Sequence, residues 1–152
     1  MKIIYVCPTG VNSSLLAATL HLGGIGEPNS VCFNRWIKSL QEMNYRTQAV
    51  WRPIFRGYDE AGHEVYTLGV GDQAEVIART VRCLLDIFEL PASILLMVDV
   101  SQQNNFEIRL GGLLTRGLRM RALGRFFLNR GAEKIRLDLV KLVTAVKEEL
   151  FS

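Results

Sequence analysis

The stretch from Cys7 to Ser14, Cys-Pro-Thr-Gly-Val-Asn-Ser-Ser, has the residue types and spacing best suited to chemistry. It lies between the apolar run 2–6 and an Ala- and Leu-rich run that ends near Leu22, so the pattern predicts a strand, a loop and a helix. Unpaired N–H groups and the positive end of a helix dipole meet at such a junction and favour a phosphate, sulfate or carboxylate. The predicted anion site comprises Thr9, Gly10, Val11, Asn12, Ser13 and Ser14.

Cys7 and Asp99 are the candidate catalytic residues. A thiol beside a helix N-terminus has a lowered pKa and is a better nucleophile at neutral pH, although a buried cysteine that ends a core strand explains Cys7 equally well. Asp99 follows the apolar run 94–98 and suits a general acid, or a cap for the helix after it. The cap is the preferred interpretation of Asp99, and both roles stay open.

Two known loops resemble the Cys7 stretch. Phosphatases of the low-molecular-weight type use Cys, five residues, Arg and Ser, but Ser13 occupies the Arg position here, so the bidentate phosphate clamp is lost. Ordinary phosphatase activity is therefore not expected. The stretch is also similar to the phosphocysteine loop of sugar-transport IIB proteins, Cys-x-x-Gly-x-x-Ser-Ser-Leu, which implies phosphoryl transfer by Cys7. A Walker A loop is excluded because no Gly-Lys-Ser/Thr follows Gly10.

Composition predicts one globular domain over residues 1–152, with 49% apolar and 22% charged residues. No apolar run approaches the ~18 residues of a membrane span, and the N-terminal run is not a signal peptide. Three cysteines without paired spacing favour a reducing compartment, so we expect a cytoplasmic protein. His21 and His63 each lack a second histidine at ligand spacing, which argues against a metal site, and no cofactor is indicated.

Alternating strand and helix patterns predict an α/β fold with three layers, in which a mostly parallel sheet has helices on both faces and one antiparallel hairpin. The hairpin surrounds the loop 59–63, and Pro53 indicates that its first strand lies at a sheet edge or enters the sheet late. The pattern also predicts two more strands, a central buried one over 94–98 and a further one over 118–122. A C-terminal helix through Leu139 and Leu150 is expected to pack on the sheet.

A second glycine-bearing junction, Gly69-Val70-Gly71-Asp72, precedes a predicted helix over 73–89 with Asp72 and Glu75 as a capping box. Ligands of such sheets collect at the carboxyl ends of the strands. Gly71 and Asp72 are therefore added to the predicted ligand-binding residues, although a helix cap is the simpler role for Asp72. A further amphipathic helix is predicted over 31–43.

The segment from Arg109 to Arg136 contains seven Arg and one Lys against a single Glu133. Such an excess suits an acidic protein or the phosphates of a nucleic acid, although a solvated helix face has the same composition. The residues proposed for this contact are Arg116, Arg119, Arg121 and Arg125. The composition indicates no oligomeric state.

Several separated motifs occur together along the chain: Lys2-Ile3-Ile4-Tyr5 with Cys7 and Ser13-Ser14, His21-Leu22-Gly23, Gly57-Tyr58-Asp59-Glu60 with Gly62 and Glu64-Val65-Tyr66, and Gly111-Gly112. Their order resembles an uncharacterised domain-of-unknown-function family, family 3189, of spore-forming bacteria. Many members carry a His at the position of Asn12, so no role of that His is carried over. The resemblance implies no established activity, substrate or partner.

Overall fold

The computed structural model describes residues 1–11, 13–23, 51–103 and 121–151. These contain four strands, three α-helices and two short 3₁₀ helices, Ala92–Ile94 and Ser101–Gln103. In chain order the others are β1 Lys2–Cys7, α1 Ser13–Leu22, β2 Ile54–Tyr58, β3 Glu64–Gly69, α2 Ala74–Ile87, β4 Leu95–Asp99 and α3 Arg121–Phe151. The helix predicted over 31–43 lies outside the described residues. No helix among them is long and apolar enough to cross a membrane.

The four strands form one sheet in the order β2-β3-β1-β4. β1 pairs in parallel with β3 and β4, while β2 and β3 form the antiparallel hairpin. The register sets Cys7 opposite Gly69 and Val6 opposite Asp99, so three strands end at the same edge. We call this edge the carboxyl edge. The predicted α/β fold with a mostly parallel sheet and one hairpin is confirmed.

Both faces of the sheet are covered, because side chains alternate along β1. Ile3, Tyr5 and Cys7 enter one cluster with residues of α1 and α3, whereas Ile4 and Val6 enter a second cluster against α2. The three predicted layers are therefore present. Leu139 and Val143 are buried in the first cluster, which confirms the apolar face predicted for the C-terminal helix.

The hairpin loop is closed by Asp59. Its Oδ1 accepts the N–H of Ala61 at 3.0 Å and the N–H of His63 at 2.8 Å. Gly62 has φ +79°, a conformation that a glycine adopts at little cost. Pro53 immediately precedes β2, which lies at an edge of the sheet as predicted.

The structure corrects the predicted start of α2 and defines that of α1. α2 has Gln73 at its N-cap without a side-chain cap bond, so the predicted capping box of Asp72 and Glu75 is wrong. The apolar residues of α2 are incompletely covered: Ala74 and Ile77 pack on the sheet, while Leu84 and Phe88 are 46% and 66% exposed. α1 begins with Ser13 and Ser14 as its first two residues.

Two predicted strands also differ from the structure. Arg121 and Ala122 open α3, so the strand predicted over 118–122 is wrong at these residues, and 118–120 lie outside the described residues. A five-residue alternation of Arg with apolar residues suits a helix as well as a strand. β4 pairs with β1 alone among the described strands, so within that part of the sheet it lies at an edge rather than at the predicted centre. The apolar composition of a strand indicates that its two faces are packed against other elements, and it does not indicate how many strands pair with it.

Candidate functional site

The Cys7 thiol lies at the junction of β1 and α1, held by polar groups from the loop and the helix. Its Sγ accepts the N–H of Gly10 at 3.2 Å and lies 3.1 Å from the Oγ of Ser14. The Oγ1 of Thr9 is more distant, at 3.8 Å. The thiol is therefore surrounded by donors that stabilise a negative charge on sulfur.

Burial raises the pKa of Cys7, but hydrogen bonds from the side chain and backbone of Ser14 and from Thr9 outweigh it and lower the pKa below its ordinary value. This is the direction expected for a thiol at a helix N-terminus. The side chain itself is fully buried. Cys7 thus ends a core strand and also has a lowered pKa, and its role as a nucleophile stays a prediction.

The loop packs closely against the end of β3 through two glycines. Gly10 has φ +71°, and a Cβ at this position would lie 2.5 Å from the backbone nitrogen of Gly69. A Cβ on Gly69 would in turn lie 2.9 Å from the carbonyl carbon of Thr9. No side chain fits at either residue without displacement of the backbone. The contact between Gly10 and Gly69 therefore fixes the position of the loop beside Cys7.

The second predicted junction lies beside the first. The N–H of Val70 donates to the carbonyl of Cys7 at 3.1 Å, and the N–H of Gly71 donates to that of Pro8 at 3.0 Å. Gly71 is thus brought to the loop as predicted. Asp72 is exposed one residue further on.

The start of α1 contains a buried hydroxyl without a partner. The Oγ of Ser13 is fully buried and makes no hydrogen bond among the described residues. Val11 is also buried, and Asn12 lies outside the described residues. A buried hydroxyl without a partner costs about 1–3 kcal/mol. Ser13 therefore has a hydroxyl whose hydrogen-bonding capacity is unused among the described residues.

A chain of hydrogen bonds that the sequence did not predict runs along the same face of β1. The Tyr5 hydroxyl lies 2.7 Å from Nδ1 of His21, and Nε2 of His21 lies 3.2 Å from Oδ2 of Asp59. Nδ1 of His63 lies 2.9 Å from the same oxygen. Tyr5 and His21 are fully buried, and Asp59 is buried at the hairpin loop. These contacts join β1, α1 and the hairpin.

The pKa directions of Tyr5, His21 and Asp59 favour one arrangement of protons. Burial raises the pKa of Tyr5, with a further contribution from the charge of Asp59, so its hydroxyl stays protonated and donates to His21. Burial lowers the pKa of His21 despite its bond to Asp59. Burial alone would raise the pKa of Asp59, but bonds from His63 and His21 lower it. A neutral His21 therefore donates from Nε2 to an ionised Asp59.

Comparison with known families identifies the chain. A family model described as a protein of unknown function (DUF3189) matches residues 2–148. The chain belongs to this family. The comparisons with curated proteins and with solved structures give no match. The resemblance expected from the separated motifs is thus confirmed at the level of the family, and it brings no activity with it.

Asp99 is not brought together with Cys7 in this DUF3189 protein. The register sets Asp99 opposite Val6, whose side chain is on the α2 face, whereas Cys7 is on the face of α1. The Oδ1 of Asp99 accepts the N–H of Ser101 at 2.8 Å, at the start of the 3₁₀ helix Ser101–Gln103. This bond favours the capping role of Asp99 over the catalytic one.

An ion pair between a buried lysine and an exposed glutamate connects α3 of the DUF3189 protein to the hairpin loop. Lys147 is 2% exposed, and its Nζ lies 2.9 Å from Oε2 of Glu60. The hydrogen bond from Lys147 is the main cause of a lowered pKa at Glu60. The hairpin loop is therefore anchored twice: Asp59 contacts His21 of α1, and Glu60 contacts Lys147 of α3.

The remaining predicted contacts are placed only in part. Arg116 and Arg119 lie outside the described residues, and Arg121 and Arg125 belong to the first turns of α3. Binding of an acidic partner by this segment stays a prediction. No group of three His, Cys, Asp or Glu residues suited to a metal ion occurs within the described ranges.

Proposed function

We propose that this protein binds a phosphate-bearing or other anionic small ligand at the loop from Cys7 to Ser14. The observation that carries the proposal is the buried Oγ of Ser13, which has no partner among the described residues and lies at the first residue of α1. The first N–H groups of a helix have no intrahelical partner and attract anions. Ser13 thus adds an unused side-chain donor to a backbone site.

The position of the loop supports the same proposal. The contact of Gly10 with Gly69 holds the backbone beside Cys7, and Gly71 joins it from the neighbouring junction. A rigid backbone loses little entropy on binding, so its N–H groups bind an anion more favourably than those of a mobile loop. The site depends on a free Cys7 thiol, so a reducing cytoplasm is part of this proposal.

Titration with inorganic phosphate, followed by the amide NMR shifts, tests the binding function. We expect saturable shifts at Gly10, Val11, Ser13 and Ser14, and weaker binding in a Ser13→Ala variant. Ser93→Ala is the matched control, because Ser93 is exposed in the 3₁₀ helix Ala92–Ile94, away from the loop. Saturable shifts confined to residues outside the loop, or none at all, would reject the proposal.

A second candidate function is phosphoryl transfer through Cys7, and the hydrogen bonds from Gly10 and Ser14 to its sulfur favour it. The thiolate would attack phosphorus to form an S–P bond as the P–O bond to the donor breaks, and the leaving oxygen would keep the electron pair. The spacing shared with sugar-transport IIB loops supports this chemistry. The general acid would not be Asp99, which the register places on the other face.

Incubation with acetyl phosphate and mass spectrometry of the intact protein tests the transfer. One phosphoryl group should be added to the wild type and to a Cys83→Ala variant, and none to Cys7→Ala. Cys83 is the suitable control because it is an exposed free thiol. Labelling that persists in Cys7→Ala, or its absence from the wild type, would reject phosphoryl transfer and leave the binding proposal in place.

A further inference from the structure

Three buried polar atoms have no hydrogen-bond partner in the described part of the chain: Oγ of Ser13, Oγ of Ser101 and Nε of Arg136. Buried polar groups in folded proteins are nearly always hydrogen-bonded, and each exception requires an explanation. A buried guanidinium N–H without an acceptor is the most costly of the three, since it belongs to a charged group.

The three atoms belong to elements that pack against one another. Ser13 begins α1, Ser101 begins the 3₁₀ helix Ser101–Gln103, and Arg136 lies in α3. That 3₁₀ helix contacts both α1 and α3, which also contact each other. Ser101 follows the end of β4 by two residues, so it lies at the carboxyl edge, where the Cys7 loop begins.

The direction of α3 brings Arg136 to the same edge. Lys147 meets Glu60 in the hairpin loop, at the opposite edge of the sheet. An α-helix rises about 1.5 Å per residue, so Arg136 lies about 16 Å along α3 from Lys147, close to the length of a six-residue strand. Its neighbour Ile135 packs in the same buried cluster as Cys7 and Val100.

We propose that Arg136, Ser13 and Ser101 bind one phosphate group of the ligand at the Cys7 loop. This assignment rests on the proposed anion-binding function. Nε and a terminal nitrogen of a guanidinium can bind two oxygens of a phosphate side by side, and two hydroxyls can donate to the others. A phosphate group has four oxygens in a tetrahedral arrangement, whereas a carboxylate has only two. We therefore assign a phosphate monoester as the ligand class.

The proposal also explains why this chain has Ser13 at the position where phosphatase loops have an Arg. Phosphatase loops with an otherwise similar pattern have an Arg where this chain has Ser13, and the loss of that Arg removes the phosphate clamp. Arg136 would supply the guanidinium from a distant part of the chain. Ser13, with the smaller side chain, would then leave space for it.

Calorimetric titration with inorganic phosphate tests the assignment. We expect Arg136→Gln to weaken binding about tenfold or more, and Arg136→Lys to weaken it as well because an ammonium lacks the planar fork. Ser101→Ala should cause a smaller loss. Lys141→Gln is the charge-matched control on the same helix, since Lys141 is exposed, and its affinity should stay within about twofold.

The outcomes separate this inference from the function on which it rests. A wild type that binds neither phosphate nor sulfate would reject the proposed function itself. A wild type that binds phosphate, with Arg136→Gln and Ser101→Ala unchanged relative to Lys141→Gln, would overturn the assignment alone. Should Arg136→Gln not fold, as judged by its thermal unfolding, the folded Arg136→Lys and Ser101→Ala variants decide between the same outcomes.

Discussion

The Oγ of Ser14 lies 3.1 Å from the Sγ of Cys7, and this contact joins the first turn of α1 to the last residue of β1. Ser14→Ala should raise the pKa of Cys7, because the thiolate loses a hydrogen bond while its burial is unchanged. The ultraviolet absorbance of the thiolate, titrated against pH, measures this pKa in protein with Cys32 and Cys83 replaced by Ser.

Thr19→Val is the control for that measurement. Thr19 is a buried hydroxyl residue on the same helix, but its Oγ1 donates to the carbonyl of Leu15 rather than to sulfur. Its removal should leave the pKa of Cys7 unchanged. Equal shifts in the two variants would show that the helix as a whole, and not the Ser14 hydroxyl, stabilises the thiolate.

Gly10→Ala should destabilise the protein more than Gly62→Ala. Both glycines have positive φ, which costs a residue with a side chain about 1–2 kcal/mol. A Cβ at Gly10 would also meet the backbone of Gly69, whereas a Cβ at Gly62 would have no heavy atom within 4 Å. Urea unfolding measures the difference, and similar losses in the two variants would contradict the close contact at Gly10.

Asp59→Ala should lower the free energy of unfolding by about 3 kcal/mol or more. The change leaves His21 and His63 without their shared acceptor and removes the bonds that close the hairpin loop. Asp138→Ala, at an exposed position on α3, is the control and should cost less than about 0.5 kcal/mol. Comparable losses would show that the buried chain contributes little to stability.

Stability should fall as the pH falls below about 6.5, the ordinary pKa of histidine. Burial lowers the pKa of His21 in the folded state, so the unfolded chain binds a proton that the folded protein resists, and ΔG of unfolding decreases. The charged and titratable groups near His21 are Tyr5, Asp59, Glu60, His63 and Lys147.

Unfolding by urea at pH 7 and pH 5 measures this effect. The wild type should lose more stability between the two values than His21→Gln, which has no imidazole to protonate. Asp59 adds a separate loss of stability below about pH 4, the ordinary pKa of an aspartate. Because the pKa of Asp59 is lowered in the folded state, the unfolded chain binds a proton there first as the pH falls, and ΔG of unfolding decreases. Equal losses in the wild type and His21→Gln would contradict a neutral buried His21.

The loop around Cys7 could be predicted because its signal is local. The strand that ends at Cys7 and the serines that begin α1 are close together in the sequence. The parallel pairing of β1 with β3 then brings the segment 69–71 to the same edge of the sheet. The three layers followed from the periodicity of apolar residues. The capping box at Asp72 was wrong because a cap depends on local backbone geometry, which one residue of displacement changes.

The buried chain could not be predicted from spacing, since Tyr5, His21 and Asp59 meet only when β1, α1 and the hairpin pack together. His21 and His63 were interpreted as isolated for this reason. One signal was nevertheless present, because Tyr5, Cys7, His21 and Asp59 all belong to the motifs that carried the family resemblance. Arg136 was likewise hidden within a basic segment, where composition alone suggests a solvated face.

Crystals soaked with tungstate, with the metal located by its anomalous scattering, test the central claim most directly. The account predicts one tungstate at the Cys7 loop, with oxygens in hydrogen-bond distance of the Ser13 Oγ and the N–H groups that begin α1. Nε of Arg136 should contact the same ion. Tungstate bound elsewhere, with ordered water or a side chain on the Ser13 hydroxyl, would contradict the account.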